Sequence, residues 1–161
     1  MTIAAYINGL SGDAAAAALS RCCASKQWVR RMLAGRPFAD DQELFGAAER
    51  EWWALDRGAW LEAFAAHPRI GERTTDDWSS GEQNGVARAG ADLRLALLEE
   101  TGTYERRFGH VYLVCATGRS AAELLTDLRE RLTNEPDKEL RVAAGEQAKI
   151  IRLRLEKLVA A

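Results

Sequence analysis

Two histidines occur in the chain, and one of them, His67, stands directly before a proline in the run AFAAHPRIGER, Ala63 to Arg73. Trp60, Phe64 and His67 follow the i, i+4, i+7 spacing of one helical face, which turns the imidazole toward the interior. A partly buried imidazole behind a helix end can act as a general acid or base. The same histidine at a helix C-terminus can instead satisfy the last carbonyls, with its protonated form favoured by the helix dipole. A second group is SSGEQNG, Ser79 to Gly85. Ser79-x-x-Glu82 has the pattern of a capping box, in which serine and glutamate satisfy the first amides of a helix. A carboxylate in such a first turn is also held ionised, and the free amides there take an anion. If Glu82 met His67, a helix C-terminus and a helix N-terminus would present an imidazole and a carboxylate to one pocket.

The third group comes from periodicity in the last helix. At 100° per residue Leu140, Ala144, Gln147, Ile151, Arg154 and Leu158 share a face, while Lys149 and Arg152 project elsewhere. Arg154 therefore lies in an apolar stripe. A buried guanidinium needs an anion or a carbonyl, so it pairs with an internal carboxylate, serves a subunit contact or binds a ligand. A metal site would have to combine His67 and His110 with carboxylates at no compact spacing, and H-E-x-x-H is missing. Neither the glycine-rich phosphate loops nor G-x-S-x-G occur. These residues leave a site made of polar side chains, with no metal and no cofactor.

The elements that must position these side chains read as helices. SGDAAAAALSRCCAS is alanine-rich, and Ser25 caps KQWVRRMLAG, which stops at Gly35. Asp40 and Asp41 open QELFGAAEREWWAL, and Asp56 caps RGAWLEAFAA, which Pro68 ends at His67. After an irregular stretch a long helix is expected from near Ser79 to Gly102. FGHVYLVCATG, Phe108 to Gly118, is β-branched and aromatic, yet a lone extended run cannot make a sheet. It is a buried extended segment or a helix. Ser120 and Glu123 form a capping box for AAELLTDLRERL, and NEPDKEL leads into a last helix. The tryptophans Trp28, Trp52, Trp53, Trp60 and Trp78 are helix-spaced and suit a core or an interface.

At 161 residues the chain fits one domain, 1–161, since single cores commonly run to about 100–200 residues. A composition of 47% hydrophobic and 29% charged residues suits a soluble globular protein. The net charge of -2 lacks the basic footprint of a nucleic-acid binder. Cys22, Cys23 and Cys115 make a poor disulfide framework, which fits a reducing cytoplasm. No targeting pattern is seen, and no span approaches the roughly 18 apolar residues of a membrane helix.

HPRIGER, Ser79-x-x-Glu82-Gln83-x-Gly85, FGHVYLVCATGRSAAELL and EQAKIIRLRLEKL, in this order, resemble the 2-oxo-4-hydroxy-4-carboxy-5-ureidoimidazoline (OHCU) decarboxylase family, as do LSRCCASKQWVRRMLAGRPF and WLEAFAAHPRIG upstream. The resemblance covers nearly the whole chain. It implies an all-α, single-domain helical bundle with one short extended segment around residues 108–117. It also implies a homodimer that needs no metal or organic cofactor. The activity implied is decarboxylation of OHCU to (S)-allantoin and carbon dioxide, the last step of urate breakdown. By the same resemblance His67 and Glu82 are catalytic, and Pro68, Ser79, Gln83 and Arg154 bind substrate. Main-chain groups of Val111, Leu113, Val114 and Cys115 would contact the ring, with no nucleic acid or membrane partner. The competing readings are a non-enzymatic helical ligand-binding module and a cofactor-free lyase or hydrolase acting on another ureide.

Overall fold

The computed structural model describes residues 1–71 and 77–160, with Asp77 given by its backbone alone. Glu72 and Arg73 of the HPRIGER motif, and the rest of the irregular stretch at 72–76, lie outside the described residues. Ten helices run through the remainder, and no strand occurs among the described residues. The chain divides into two compact units, residues 1–63 with 148–161, and residues 64–147.

The first unit holds α1 (Ile3–Gly9), α2 (Gly12–Cys22), α3 (Lys26–Ala34), α4 (Asp41–Trp53) and most of α5 (Arg57–Ala65). Each begins on a side-chain oxygen that accepts an otherwise orphaned backbone N–H: Thr2, Ser11, Ser25, Asp40 and Asp56. The sequence pattern did not announce α1, which is short and tied down from outside. Asp41 accepts its Ala4 N–H, and Arg36 donates to its last carbonyls at Ile7 and Leu10. The core is Ile7, Leu19, Trp28, Met32, Leu44 and Trp52, all fully buried. Two indoles bury their N–H groups against carbonyls, Trp28 on Ala48 and Trp60 on Trp52, each at 3.0 Å.

The second unit contains α6 (Asp77–Glu82), α7 (Asn84–Ala87), α8 (Ala91–Phe108), α9 (Ala121–Arg131) and the first part of α10 (Pro136–Lys157). The single helix expected from Ser79 to Gly102 is therefore three helices. Gly81, Gly85 and Gly90 each weaken a helix by roughly 1 kcal/mol relative to alanine, and the chain breaks at Gln83 and Gly90. Beyond that break α8 passes through Gly102 and stops at Gly109, whose φ of 79° is left-handed. Phe108 is helical, so the non-helical stretch is shorter than expected, and residues 111–116 are neither helix nor strand. Tyr112, Val114 and Ala116 pack it into one core cluster with Leu97, Tyr104, Leu124 and Leu128, and Leu113 is buried as well.

A charged network anchors that segment. Arg131, near the end of α9, donates to Leu113 O at 2.8 Å and to Glu139 Oε2 of α10 at 2.7 Å. Tyr104 O–H also donates to Glu139, and Tyr112 O–H donates to Asp127 at 2.5 Å. Burial, the largest single influence, tends to discharge Arg131, but its bonds to Glu139 together with the electrostatic pull of Tyr104, Glu139 and Tyr112 hold it above the usual arginine range. Burial likewise holds the Tyr104 and Tyr112 hydroxyls protonated, well above the ordinary tyrosine value.

Candidate active site

The candidate site in the second unit starts where α5 stops. The helix ends at Ala65, two residues before His67, because Pro68 bars the α conformation at the preceding residue. The His67 N–H still reaches Phe64 O at 3.1 Å, closing a last tight turn. Its imidazole is half-buried, and Nε2 lies 2.7 Å from Gln147 Oε1 of α10. Pro68 is also half-buried, and Ile70 anchors the turn in the core. Gly71 then takes a φ of 85°, a left-handed conformation that favours glycine. Its N–H donates to Gln83 Oε1 at 2.9 Å, so Gln83 hooks the His67 turn to the α6–α7 junction.

Ser79 and Glu82 stand elsewhere than a capping box would put them. Because α6 begins at Asp77, Ser79 is inside the helix and Glu82 is its last residue. The first-turn argument for Glu82 therefore fails: its carboxylate sits at the helix end where the dipole opposes negative charge. Ser79 is buried and Glu82 half-buried. Gly85 explains how this region is seated, since a Cβ there would lie 2.2 Å from Arg119 O. Only glycine lets α7 approach the turn before α9 this closely.

In the segment between α8 and α9 the Leu113 and Val114 side chains are buried. Val111 and Cys115 are half-buried. Arg131 occupies Leu113 O, and the Cys115 N–H donates to Glu146 Oε1 at 3.2 Å. Consecutive residues of α10, Glu146 and Gln147, thus touch the extended segment and the catalytic-candidate histidine. Neither contact was evident from the sequence. The signal was present for Gln147, an amide on the apolar stripe beside Arg154. His110, the other histidine, packs among the rings of Phe64, Tyr104 and Phe108. Among the described residues no three His, Cys, Asp or Glu side chains gather as ligands of one metal ion would.

Arg154 belongs to the first unit. The helical-face reading holds from Leu140 to Arg154, since Leu140, Ala144, Gln147, Ile151 and Arg154 are buried, while Leu158 at the end of the stripe is half-buried. Arg152 is exposed, stacked 4.1 Å over the Phe45 ring and paired with Glu156. Arg154 Nη1 donates to Arg21 O in the last turn of α2 at 3.2 Å, near the buried thiol of Cys22.

A half-buried imidazole in contact with a buried amide, in a helical unit that also holds Ser79, Glu82 and Gln83, is a candidate for acid–base chemistry. The family follows from similarity to known proteins: the OHCU decarboxylase pattern matches residues 8–156, and the chain belongs to that family. It is 33% identical over 145 residues to the uric acid degradation bifunctional protein TTL of Arabidopsis thaliana, covering 85% of this chain but 45% of the plant protein. It is 28% identical to the OHCU decarboxylase of Haloferax volcanii, covering 92% of this chain and 91% of that protein. A crystal structure of an OHCU decarboxylase in the presence of (S)-allantoin superposes with a TM-score of 0.78 at 36% identity, covering 86% of this chain and 94% of the other.

Proposed function

We propose that this chain, acting as one domain over residues 1–161, converts OHCU to (S)-allantoin and carbon dioxide, the reaction that ends urate breakdown to allantoin. The observation that supports it best is the fixing of His67 by Gln147 at 2.7 Å, within a turn that Gln83 holds through Gly71. The substrate carries a carboxylate and a hydroxyl on one carbon, next to a C=N bond. When the carbon–carboxylate bond breaks, its electron pair forms a C=C bond to the imine carbon while the C=N π pair moves onto nitrogen, which takes up a proton, leaving an enol. No separate electron sink is needed, and the protein has only to orient the carboxylate and manage protons. The enol then loses its O–H proton, and the former imine carbon gains one.

In this reading His67 contacts the hydroxyl and carboxylate centre, and Glu82 orients His67 or the ring N–H groups. Ser79, Gln83 and the backbone from Val111 to Cys115 hold the ring, with Pro68 shaping the turn beneath it. Arg154 serves the carbonyl oxygens of the substrate. Proton delivery to one face yields a single allantoin enantiomer, and preorganised donors stabilise the enol-like intermediate. The protein works as a cytoplasmic homodimer, without a metal or organic cofactor.

The test is circular dichroism during urate oxidation, with the unstable substrate generated in place by urate oxidase and hydroxyisourate hydrolase. Wild type should accelerate the (S)-allantoin signal, and a folded His67→Ala protein should lose that effect. A wild type that leaves the spontaneous decay unchanged would refute the assignment and favour a binding module.

A further inference from the structure

Gln147 has no exposed surface, and its two amide ends have different fates. The oxygen meets His67 Nε2 at 2.7 Å, whereas the nitrogen is buried with no hydrogen-bond partner. Leaving a buried amide nitrogen unsatisfied costs about 1–3 kcal/mol, a cost that a leucine of similar volume would avoid. Its neighbours on the same face, Leu140, Ala144 and Ile151, are apolar and buried. Packing alone therefore does not account for the amide at this position. The contact also spans 80 residues of sequence, so it is made by the tertiary fold and not by the local turn.

We infer that Gln147 is the positioning residue of His67: its carbonyl oxygen accepts the Nε2–H, fixes the ring plane and keeps the neutral imidazole in the tautomer whose lone pair is on Nδ1. This rests on the decarboxylase reading for its consequence, since the proton pattern of the ring then sets how His67 handles the substrate's hydroxyl proton. The inference itself concerns the ring and can be measured without substrate. Orientation by a partner on the second ring nitrogen is how proteins commonly set which nitrogen of a histidine reacts.

The experiment combines nitrogen NMR of 15N-histidine-labelled protein with steady-state OHCU turnover across pH, for wild type, Gln147→Leu and Gln147→Glu. Wild type should show His67 protonated at Nε2 in its neutral form. Gln147→Leu should show mixed tautomers and a kcat lower by about 10- to 100-fold with KM little changed. Gln147→Glu retains an acceptor oxygen, so the Nε2–H tautomer should persist. Its negative charge favours the imidazolium, so the acidic limb of the rate profile should move to higher pH. An Nδ1–H tautomer in wild type would overturn the inference. So would a Gln147→Leu protein with unchanged tautomer and kcat or, if that variant does not fold, a Gln147→Glu protein whose profile stays in place. A wild type without turnover but with the Nε2–H signal lost in Gln147→Leu would uphold the positioning role and refute the decarboxylase reading.

Discussion

Replacing Glu139 by glutamine keeps the shape of the side chain and removes one charge from the network that holds the extended segment. Glu139 is fully buried and Arg131 is 4% exposed, and three bonds join them at 2.7 to 3.2 Å. Asn134 and Tyr104 also donate to this carboxylate. Breaking a buried pair from one side costs about 3–5 kcal/mol, because the remaining charge keeps its desolvation penalty and loses its partner. Here Arg131 retains Asp127 at 3.3 Å and Leu113 O at 2.8 Å, which places the expected loss near the lower bound. A loss of about 3 kcal/mol corresponds to a Tm lower by about 6–12 °C for a chain of this size. Urea unfolding should show a midpoint lower by about 1 M or more with an unchanged slope. A single variant that loses less than about 1 kcal/mol, the range of an exposed pair, would show that the network does not carry the charge in the way described.

Two further perturbations probe the packing around the sites. Gly85→Ala places a Cβ against Arg119 O, a backbone atom with little freedom to move, so stability should drop by about 1–3 kcal/mol. OHCU turnover should drop too as the α6–α7 junction shifts Gln83, whereas Gly81→Ala, with nothing within 4 Å of the added carbon, should be tolerated. For the thiols, burial pushes both Cys22 and Cys23 up to about 12 from an ordinary 9.0. A pKa raised on folding gives stability that is complete below the unfolded value and is lost as pH rises through the folded one. The urea midpoint of wild type should therefore decline, relative to a Cys22→Ala, Cys23→Ala variant, between about pH 9 and 12. A gap between the two proteins that stays constant over that range would show that the thiols ionise as freely in the folded chain as in the unfolded one.

What could be read from the sequence was local. Ser25, Asp40, Asp56 and Ser120 act as caps because a cap needs only its own helix start, and the chemistry of that start is written in adjacent residues. The same local logic misplaced Ser79, where a serine and a glutamate in capping-box spacing lie within a helix that already began at Asp77. It also ran three helices together, because glycine lowers helix stability by degrees and the position of the break depends on what packs nearby. Gly85 shows this: its requirement comes from the backbone of Arg119, 34 positions on, and not from its own conformation.

The contacts that orient candidate chemistry were all of this second kind. Periodicity singled out Arg154 because a charge on an apolar stripe is conspicuous, and the burial of Arg154 with exposure of Arg152 follows that reasoning. Gln147 lay on the same stripe two turns earlier and carried the same kind of signal, weakened because an amide costs less to bury than a guanidinium. Its meaning appears only when α10 is brought against the turn after α5 and the ring of His67 supplies the partner. A polar residue on an otherwise apolar helical face thus has two possible sources of satisfaction, the fold or a ligand. Gln147 uses the fold at its oxygen and leaves its nitrogen unsatisfied, so the same residue that positions His67 retains a donor that only a bound molecule or a rearrangement could engage.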